Sequence, residues 1–257
     1  MDLALSGRTA LVCSSTQGLG AAIASALAAE GANTVVNGRH DAQAKEAAAR
    51  LPHAVGAGAD LLSPNGPEEL FQATVEAFGP PDVLVLNGPG PRPAQATDVT
   101  AADVDSAFET SVRPHIRLIS LALPAMRARG WGRILAVGSS GIAAPLANLA
   151  LSNLGRAGLA GYLKTLAAEV AADGVTVNLL LPGRIRTERT RTVDTANAAR
   201  THRSVADVER ESVAAIPAGR YGHPSEFAAA AAFLCSAPAS YVTGVALRCD
   251  GGLVRGL

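Results

Sequence analysis

Short apolar runs of strand type alternate with longer alanine- and leucine-rich stretches of helical period along the chain. Several runs are apolar at consecutive positions, which is typical of strands buried on both faces of a parallel sheet. This alternation predicts a doubly wound α/β fold, with helices on both faces of one parallel sheet. The runs are residues 9–13, 33–37, 53–57, 83–86, 133–137, 175–181 and 242–247, and the helical stretches are 20–30, 41–50, 68–78, 101–129, 148–172 and 225–235.

The domain organisation follows from the absence of any linker-like stretch. No segment rich in proline, glycine and serine divides the 257 residues, so the sequence predicts a single domain over 1–257. The one long polar, weakly periodic stretch is 184–217, which is rich in arginine and threonine. It follows a predicted strand, at the end of the sheet where ligands bind and lids move, so we expect a substrate lid there.

Composition excludes several classes of function. Lys+Arg and Asp+Glu are balanced at 22 each, so the chain has no basic excess for binding nucleic acid. No run of about 18 apolar residues is present to span a membrane, and no secretory signal is recognisable, so we expect a cytoplasmic protein. Cys13, Cys235 and Cys249 have no paired spacing, so neither a disulfide framework nor a metal site is expected.

A turn of small residues leads from the first strand directly into a helix. Free amides and the helix dipole converge at such a turn, which makes it a site for a pyrophosphate. Gly18 and Gly20 would allow the backbone to approach the ligand closely, although two glycines here are also common for packing alone. The candidate cofactor-binding residues are Ser14, Ser15, Thr16, Gln17, Gly18, Leu19 and Gly20.

With this turn as one of five motifs, the chain resembles the short-chain dehydrogenase/reductase family over nearly its whole length. The family's glycine motif falls on 13–20, its asparagine-containing turn on 87–90, its catalytic serine on Ser139, its strand-plus-PG turn on 177–183, and its DGG on 250–252. The resemblance implies a Rossmann-type fold and a nicotinamide dinucleotide cofactor. It also implies a small-molecule carbonyl or alcohol substrate, a reaction like that of 3-oxoacyl reductases, and a homodimer or homotetramer built on the 148–172 helix.

The same resemblance assigns further residues to the cofactor. They are Asp60 and Leu61 after the third strand, Asn87 and Gly88 after the fourth, and Pro182, Gly183, Ile185 and Thr187 around the PG turn. The second strand is followed by Arg39, with no acid before Asp41. An arginine there suits a 2′-phosphate, so NADP(H) is favoured over NAD(H). The alternative is an exposed arginine that merely leads into a solvated helix.

The glycine motif itself is altered at its first position. Ser14 stands where the family has glycine, and serine disfavours a positive φ, so we expect a slightly different turn. The hydroxyl groups of Ser14, Ser15 and Thr16 are expected to add donors for phosphate.

The resemblance also places the catalytic residues, and three of the four differ from the family. Ser152 stands at the tyrosine position, Arg156 at the lysine position and Ser111 at the asparagine position, while Ser139 is retained. An aliphatic hydroxyl is far less acidic than a phenol, so Ser152 alone is a poor proton donor. We expect Ser139 and Ser152 to donate hydrogen bonds to the substrate oxygen and Arg156 to hold the cofactor ribose.

Other proton donors and another class of function remain open. His115 lies one helical turn past Ser111, and His202, Tyr221 and His223 lie in or after the lid, although a packing or surface role is favoured for each. The principal interpretation is an NADP(H)-dependent oxidoreductase with an atypical catalytic site. The alternative is a nucleotide-binding pseudoenzyme, acting as a cofactor sensor or a partner subunit.

Overall fold

A computed structural model describes residues 1–256. Seven parallel strands form one sheet in the order β3-β2-β1-β4-β5-β6-β7. The strands are β1 Thr9–Val12, β2 Asn33–Gly38, β3 Ala54–Gly58, β4 Val83–Leu86, β5 Gly132–Val137, β6 Val175–Pro182 and β7 Ala246–Cys249. The helices are α1 Gly18–Ala29, α2 Asp41–Ala48, α3 Gly66–Phe78, α4 Ala101–Ser111, α5 Arg113–Ala128, α6 Ala150–Val170, α7 Glu188–Thr201, α8 Val205–Ala214 and α9 Pro224–Leu234. The predicted doubly wound α/β fold of Rossmann type is confirmed.

The central strands are apolar on both faces because helices cover both sides of the sheet. In β4, Leu84 and Leu86 join a core with side chains of α3, α5 and α6, whereas Val83 and Val85 join a second core with α1 and α9. All four side chains are almost completely buried. Burying an aliphatic side chain of this size contributes roughly 1.5–3 kcal/mol. The consecutive apolar positions in the sequence therefore reflect two cores.

The order of the strands creates a crevice at the carboxyl edge of the sheet. Val12 at the end of β1 pairs with Val36 of β2 on one side and with Val85 of β4 on the other. After β1 the chain adds β2 and β3 on one side of this strand, and it then crosses to the other side to form β4. The loops after β1 and β4 diverge at this switch point, where ligands bind in folds of this kind.

Two predicted elements differ in the structure. The predicted 101–129 helix is two helices, α4 and α5, because Pro114 has no N–H to continue α4 and instead lies in the first turn of α5. The last strand begins at Ala246 rather than at residue 242. Before it, the side chain of Asn178 donates to Val242 O and accepts from Val245 N–H, and these bonds alternate with backbone bonds such as that from Gly244 N–H to Val177 O.

The predicted lid segment, 184–217, contains α7 and α8. Its middle is held by Asp194, which is only 3% exposed. One carboxylate oxygen of Asp194 accepts from Arg184 Nη1 at 2.8 Å, and the other accepts from the Tyr221 hydroxyl at 2.9 Å. The middle of the segment is therefore tied to its own first residue and to the chain that leads into α9. Its action as a lid remains a proposal.

Within residues 1–256 no helix is long and apolar enough to cross a membrane. The same residues contain no cluster of histidine, cysteine or acidic side chains that could hold a metal ion. The three cysteines are unpaired, and Cys13 and Cys235 are buried.

Candidate active site

The turn after β1 is held in place by two asparagines, one in β2 and one directly after β4. The backbone N–H of Ser14 donates to Asn37 Oδ1 at 2.9 Å, and Asn87 Nδ2 donates to Ser14 O at 3.1 Å. Ser14 adopts φ +47°, in the left-handed region. The expectation that serine would avoid a positive φ is therefore wrong, because these two long-range hydrogen bonds fix the backbone despite the cost to an L-residue.

The hydroxyl of Ser15 does not face the cofactor site. It donates to Val12 O at 2.6 Å and accepts from the backbone N–H of Asn37 at 3.0 Å, and Ser15 is only 1% exposed. Its one hydrogen is donated within the protein. The prediction that this hydroxyl donates to a phosphate is therefore wrong. Ser14 and Thr16 remain partly exposed.

The start of α1 has the features of an anion site. Gln17, which precedes the helix, makes no side-chain capping hydrogen bond, and the first turn contains no acid, so the first amides of α1 are free to bind a ligand. A Cβ on Gly20 would lie 2.4 Å from Ser14 O and 2.8 Å from Asn87 Nδ2, so only glycine fits at this position. Gly18 and Gln17 are exposed, and Leu19 is half-buried. These residues fit the pyrophosphate of a dinucleotide.

Two residues predicted to contact the adenosine end lie beside the neighbouring strands. Arg39 follows β2, is exposed, and makes no hydrogen bond or ion pair with any residue that the structure describes. Asp60 follows β3 and is partly exposed, and its Oδ1 accepts a hydrogen bond of 3.0 Å from the backbone N–H of Leu62. Leu61 is 6% exposed and belongs to the core, so only its backbone is available to a ligand.

The turn after β4 lies over a buried histidine. His115 Nδ1 donates to Ser111 O at 2.9 Å, and a Cβ on Gly88 would lie 3.5 Å from His115 Nε2. Burial lowers the pKa of His115, and the positive charge of Arg156 lowers it further, so the ring is neutral near pH 7. His115 thus packs against the turn that contains Asn87 and Gly88. This position agrees better with a packing role for His115 than with proton donation.

The predicted residues around the PG turn are used mainly to shape the chain. The backbone N–H of Gly183 donates to Cys249 O, which joins the turn to β7. Ile185 is buried and pairs with Gly222. The Thr187 hydroxyl accepts the backbone N–H of Thr190 and caps α7. Pro182 and Thr187 remain partly exposed at the carboxyl edge.

Ser139 and Arg156 meet at the end of β5. The Ser139 hydroxyl accepts the N–H of Gly141 at 3.0 Å, so its own hydrogen is free to be donated to a ligand. Arg156 Nη1 donates to Val137 O at 2.9 Å, while its Nε and Nη2 make no hydrogen bond with residues 1–256. Burial, together with the charge of Arg189, lowers the pKa of Arg156 to about 10, so it is still charged at pH 7.

Ser152 and Ser111 flank Arg156 at different depths. Ser152 lies one helical turn before Arg156 on α6 and is 8% exposed, and its hydroxyl makes no hydrogen bond with the described part of the chain. Ser111 is 3% exposed, and its hydroxyl has no partner. A Cβ on Gly155 would lie 3.1 Å from Ser111 Cβ, so Ser111 packs beneath α6. The structure thus brings all four predicted residues to the start of α6, with Ser111 behind the others.

The remaining candidate proton donors lie elsewhere. The Tyr221 hydroxyl donates to buried Asp194, and His202 ends α7 in the left-handed region. His223 precedes α9, where Glu226 accepts its backbone N–H. Tyr162 is packed against the core. Within residues 1–256, none of these side chains makes a hydrogen bond with Ser139 or Arg156.

Comparison with known proteins agrees with this geometry. A family model described as enoyl-(acyl carrier protein) reductase matches residues 13–254. The chain belongs to the short-chain dehydrogenase/reductase family. Among curated members, it is 34% identical to a D-beta-hydroxybutyrate dehydrogenase of Cupriavidus necator, covering 97% of this chain and 99% of that protein.

Further members of the short-chain dehydrogenase/reductase family are similar over comparable lengths. A 3-oxoacyl-(acyl-carrier-protein) reductase of Vibrio cholerae is 32% identical over 97% of this chain and 98% of its own. The crystal structure of L-sorbose reductase from Gluconobacter frateurii, complexed with NADPH and L-sorbose, superposes with a TM-score of 0.93 at 30% identity over the full length of both chains. Family membership supports an oxidoreductase class for the chain.

The roles of three residues of the site were not predicted from the sequence. Asn37 holds the turn after β1. Asn153 Nδ2 donates to Leu146 O and supports the loop before α6. Arg189, the second residue of α7, lies against Gly90 in the turn after β4. The position of Asn37 at the end of a strand was a usable signal, but the contacts of Asn153 and Arg189 depend on elements that are distant in sequence.

Proposed function

We propose that the chain is an NADP(H)-dependent oxidoreductase that interconverts a carbonyl and an alcohol, with a reaction like that of 3-oxoacyl reductases. The observation that carries the proposal is the meeting of Ser139, with a free hydroxyl hydrogen, and charged Arg156 at the end of β5, beside the turn that fits a dinucleotide. When bound, the nicotinamide supplies hydride transfer. The protein must then bind the cofactor, orient the substrate and stabilise its oxygen.

For the cofactor, Arg39 supports NADP(H) over NAD(H). Its guanidinium is exposed and free of any acid partner within residues 1–256, and its planar fork suits a phosphate. Arg39→Ala should weaken NADPH binding at least tenfold and leave NADH binding within about twofold. Arg50→Ala, which removes an exposed arginine at the other end of α2, is the control and should change neither affinity. Equal affinities of the unaltered protein for NADPH and NADH would overturn the assignment.

For the substrate oxygen, Ser139 and Ser152 are the proposed donors. Removing one donor from such a site typically lowers turnover roughly 10²–10³-fold. Ser152→Ala should therefore lower turnover while leaving NADPH affinity unchanged. Arg156→Ala should lower both, because the free Nε and Nη2 are proposed to hold the ribose hydroxyls. These variants are to be tested with NADPH and a panel of small ketones by absorbance.

A nucleotide-binding pseudoenzyme is the second candidate. It is favoured by the absence of a tyrosine beside Ser139, since Tyr162, Tyr221 and Tyr241 all lie elsewhere in the fold. Fluorescence titration that shows NADPH binding, with no turnover of any ketone or alcohol in a broad panel, would support it. Gain of turnover by the double variant Ser152→Tyr, Arg156→Lys in an otherwise inert protein would do the same.

We also propose assembly into a dimer or tetramer through α6. Leu154 is 41% exposed on this helix, and Ala157 and Gly161 lie beside it on the open surface, with no neighbour within 4 Å of a Cβ placed at Gly161. Gly158 is also exposed, and a Cβ placed there would lie 3.5 Å from the ring of Phe108. Light scattering should show a dimer or tetramer, and a monomer at micromolar concentration would refute the proposal.

A further inference from the structure

Arg189 is an arginine without a partner at the mouth of the candidate active site. Its side chain makes no hydrogen bond and no ion pair with residues 1–256. A Cβ placed on Gly90 would lie 2.9 Å from its Nη2, so the guanidinium lies directly against the turn that follows β4. Gly90 is thus the residue that leaves room for it.

The three arginines nearest to Arg189 in the sequence of the lid segment are each paired with an acid. Arg184 pairs with Asp194, Arg186 with Glu209, and Arg191 with Glu188. Arg189 pairs with none of the acids of this segment and lies against Gly90 instead.

A second unneutralised cation lies nearby. Arg156 is held by Val137 O at the end of β5, and burial followed by the charge of Arg189 lowers its pKa to about 10. Arg156 is half-buried and Arg189 is exposed, and the repulsion between their guanidinium groups is offset when an anion is bound between them.

The position of the pair separates it from the cofactor phosphates. The pyrophosphate site lies at the turn after β1, and Arg39 lies after β2, on one side of the switch point. Arg189 contacts the turn after β4, and Arg156 is bound at the end of β5, on the other side. This side also holds the Ser139 hydroxyl, where the substrate oxygen is expected.

We propose that Arg189, supported by Arg156, binds an oxyanion group of the substrate, so that the substrate class is ketones or alcohols that carry a carboxylate or a phosphate. The inference rests on the proposed function for the identity of the reacting group. Arg189 donates two parallel hydrogen bonds to the oxyanion, because its fork matches two oxygens of a carboxylate or phosphate. The anion then fixes the carbonyl of the same molecule towards Ser139.

Matched pairs of charged and neutral ketones test the inference. The probes are pyruvate against methyl pyruvate for the carboxylate, and dihydroxyacetone phosphate against dihydroxyacetone for the phosphate. Calorimetric titration, with and without NADP+, should show at least tenfold tighter binding of one charged probe than of its neutral partner. The probe pair that shows the preference identifies the oxyanion.

Three variants assign the preference to Arg189. Arg189→Gln should remove it, with a loss of about 10–100-fold in affinity for the charged probe and no loss for the neutral one. Gly90→Ala should give a similar loss with the charge retained, since its methyl group would occupy the place of the guanidinium. Arg191→Gln, two residues further along α7, is the control and should keep the preference.

The outcomes separate this inference from the proposed function. Equal binding of both members of each pair overturns the inference, while NADPH-dependent turnover of neutral ketones would leave the proposed function intact. A loss of NADPH affinity in Arg189→Gln equal to its loss of anion affinity would assign the arginine to the cofactor and also overturn the inference. Retained preference for a charged probe without any turnover supports the anion site and contradicts the oxidoreductase.

Discussion

Replacement of Asn37 by alanine should both destabilise the protein and weaken cofactor binding. Asn37 is 1% exposed at the end of β2, and its side chain joins three segments. Its Oδ1 accepts from Ser14 N–H at 2.9 Å, and its Nδ2 donates to Ala59 O at 3.1 Å and to Ala57 O at 3.3 Å. Truncation leaves these backbone groups without their partner.

The magnitude follows from the buried groups that lose hydrogen bonds. Each unsatisfied buried group costs roughly 1–3 kcal/mol, and carbonyls that keep another partner cost less, so we expect a total loss of about 2–5 kcal/mol. For a chain of this size, that lowers the melting temperature by about 5–15 °C. Ser14 would also lose one of the two hydrogen bonds that hold its φ of +47°, so NADPH affinity should fall at least tenfold.

Calorimetry and NADPH titration measure the two effects, and Asn33→Ala is the matched control. Asn33 starts the same strand, and its Nδ2 makes a long, solvent-facing hydrogen bond of 3.4 Å to Gly7 O. Its truncation should change the free energy of unfolding by less than about 0.5 kcal/mol. Equal stabilities of the two variants, or full NADPH affinity in Asn37→Ala, would refute the role of Asn37 in holding the turn.

Three further predictions concern single side chains. Ser14→Gly should raise the free energy of unfolding by up to about 1 kcal/mol, because glycine adopts a positive φ without strain; thermal melting measures this, and a lower melting temperature would contradict it. Cys249 should be the thiol that Ellman's reagent modifies, slowly, in the folded protein, because burial raises the pKa of Cys13 and Cys235 to about 12; loss of this reaction in Cys249→Ser is the check. Glu226→Gln should destabilise the protein at pH 7, because a neighbouring arginine and a backbone N–H hold the pKa of Glu226 at about 2, below its usual 4.5. This difference should be complete above about pH 5 and vanish as the pH falls through 2, and a difference in chemical denaturation that is independent of pH would contradict it.

Much of the fold could be predicted because its signals are local. The run 83–86 is buried on both faces of the sheet, and its consecutive apolar residues already indicate this burial in the sequence. The break that Pro114 causes between α4 and α5 also has a local signal, but the continuous helical period of 101–129 predicted one helix. The delayed start of β7 had no local signal, because it depends on the side chain of Asn178 in another strand.

At the candidate site, the sequence determined which residues stand after which strands. The glycines at the start of α1, Arg39 after β2 and Ser139 after β5 all lie at the carboxyl edge because parallel strands end together there. Only the tertiary structure decided what each group does at that edge. Arg156 is held by a β5 carbonyl, the hydroxyl of Ser15 is used by Val12 and Asn37, and Arg189 reaches the turn after β4. Each of these contacts joins atoms from segments that the sheet order brings together, and local residue patterns do not encode the distances between such segments.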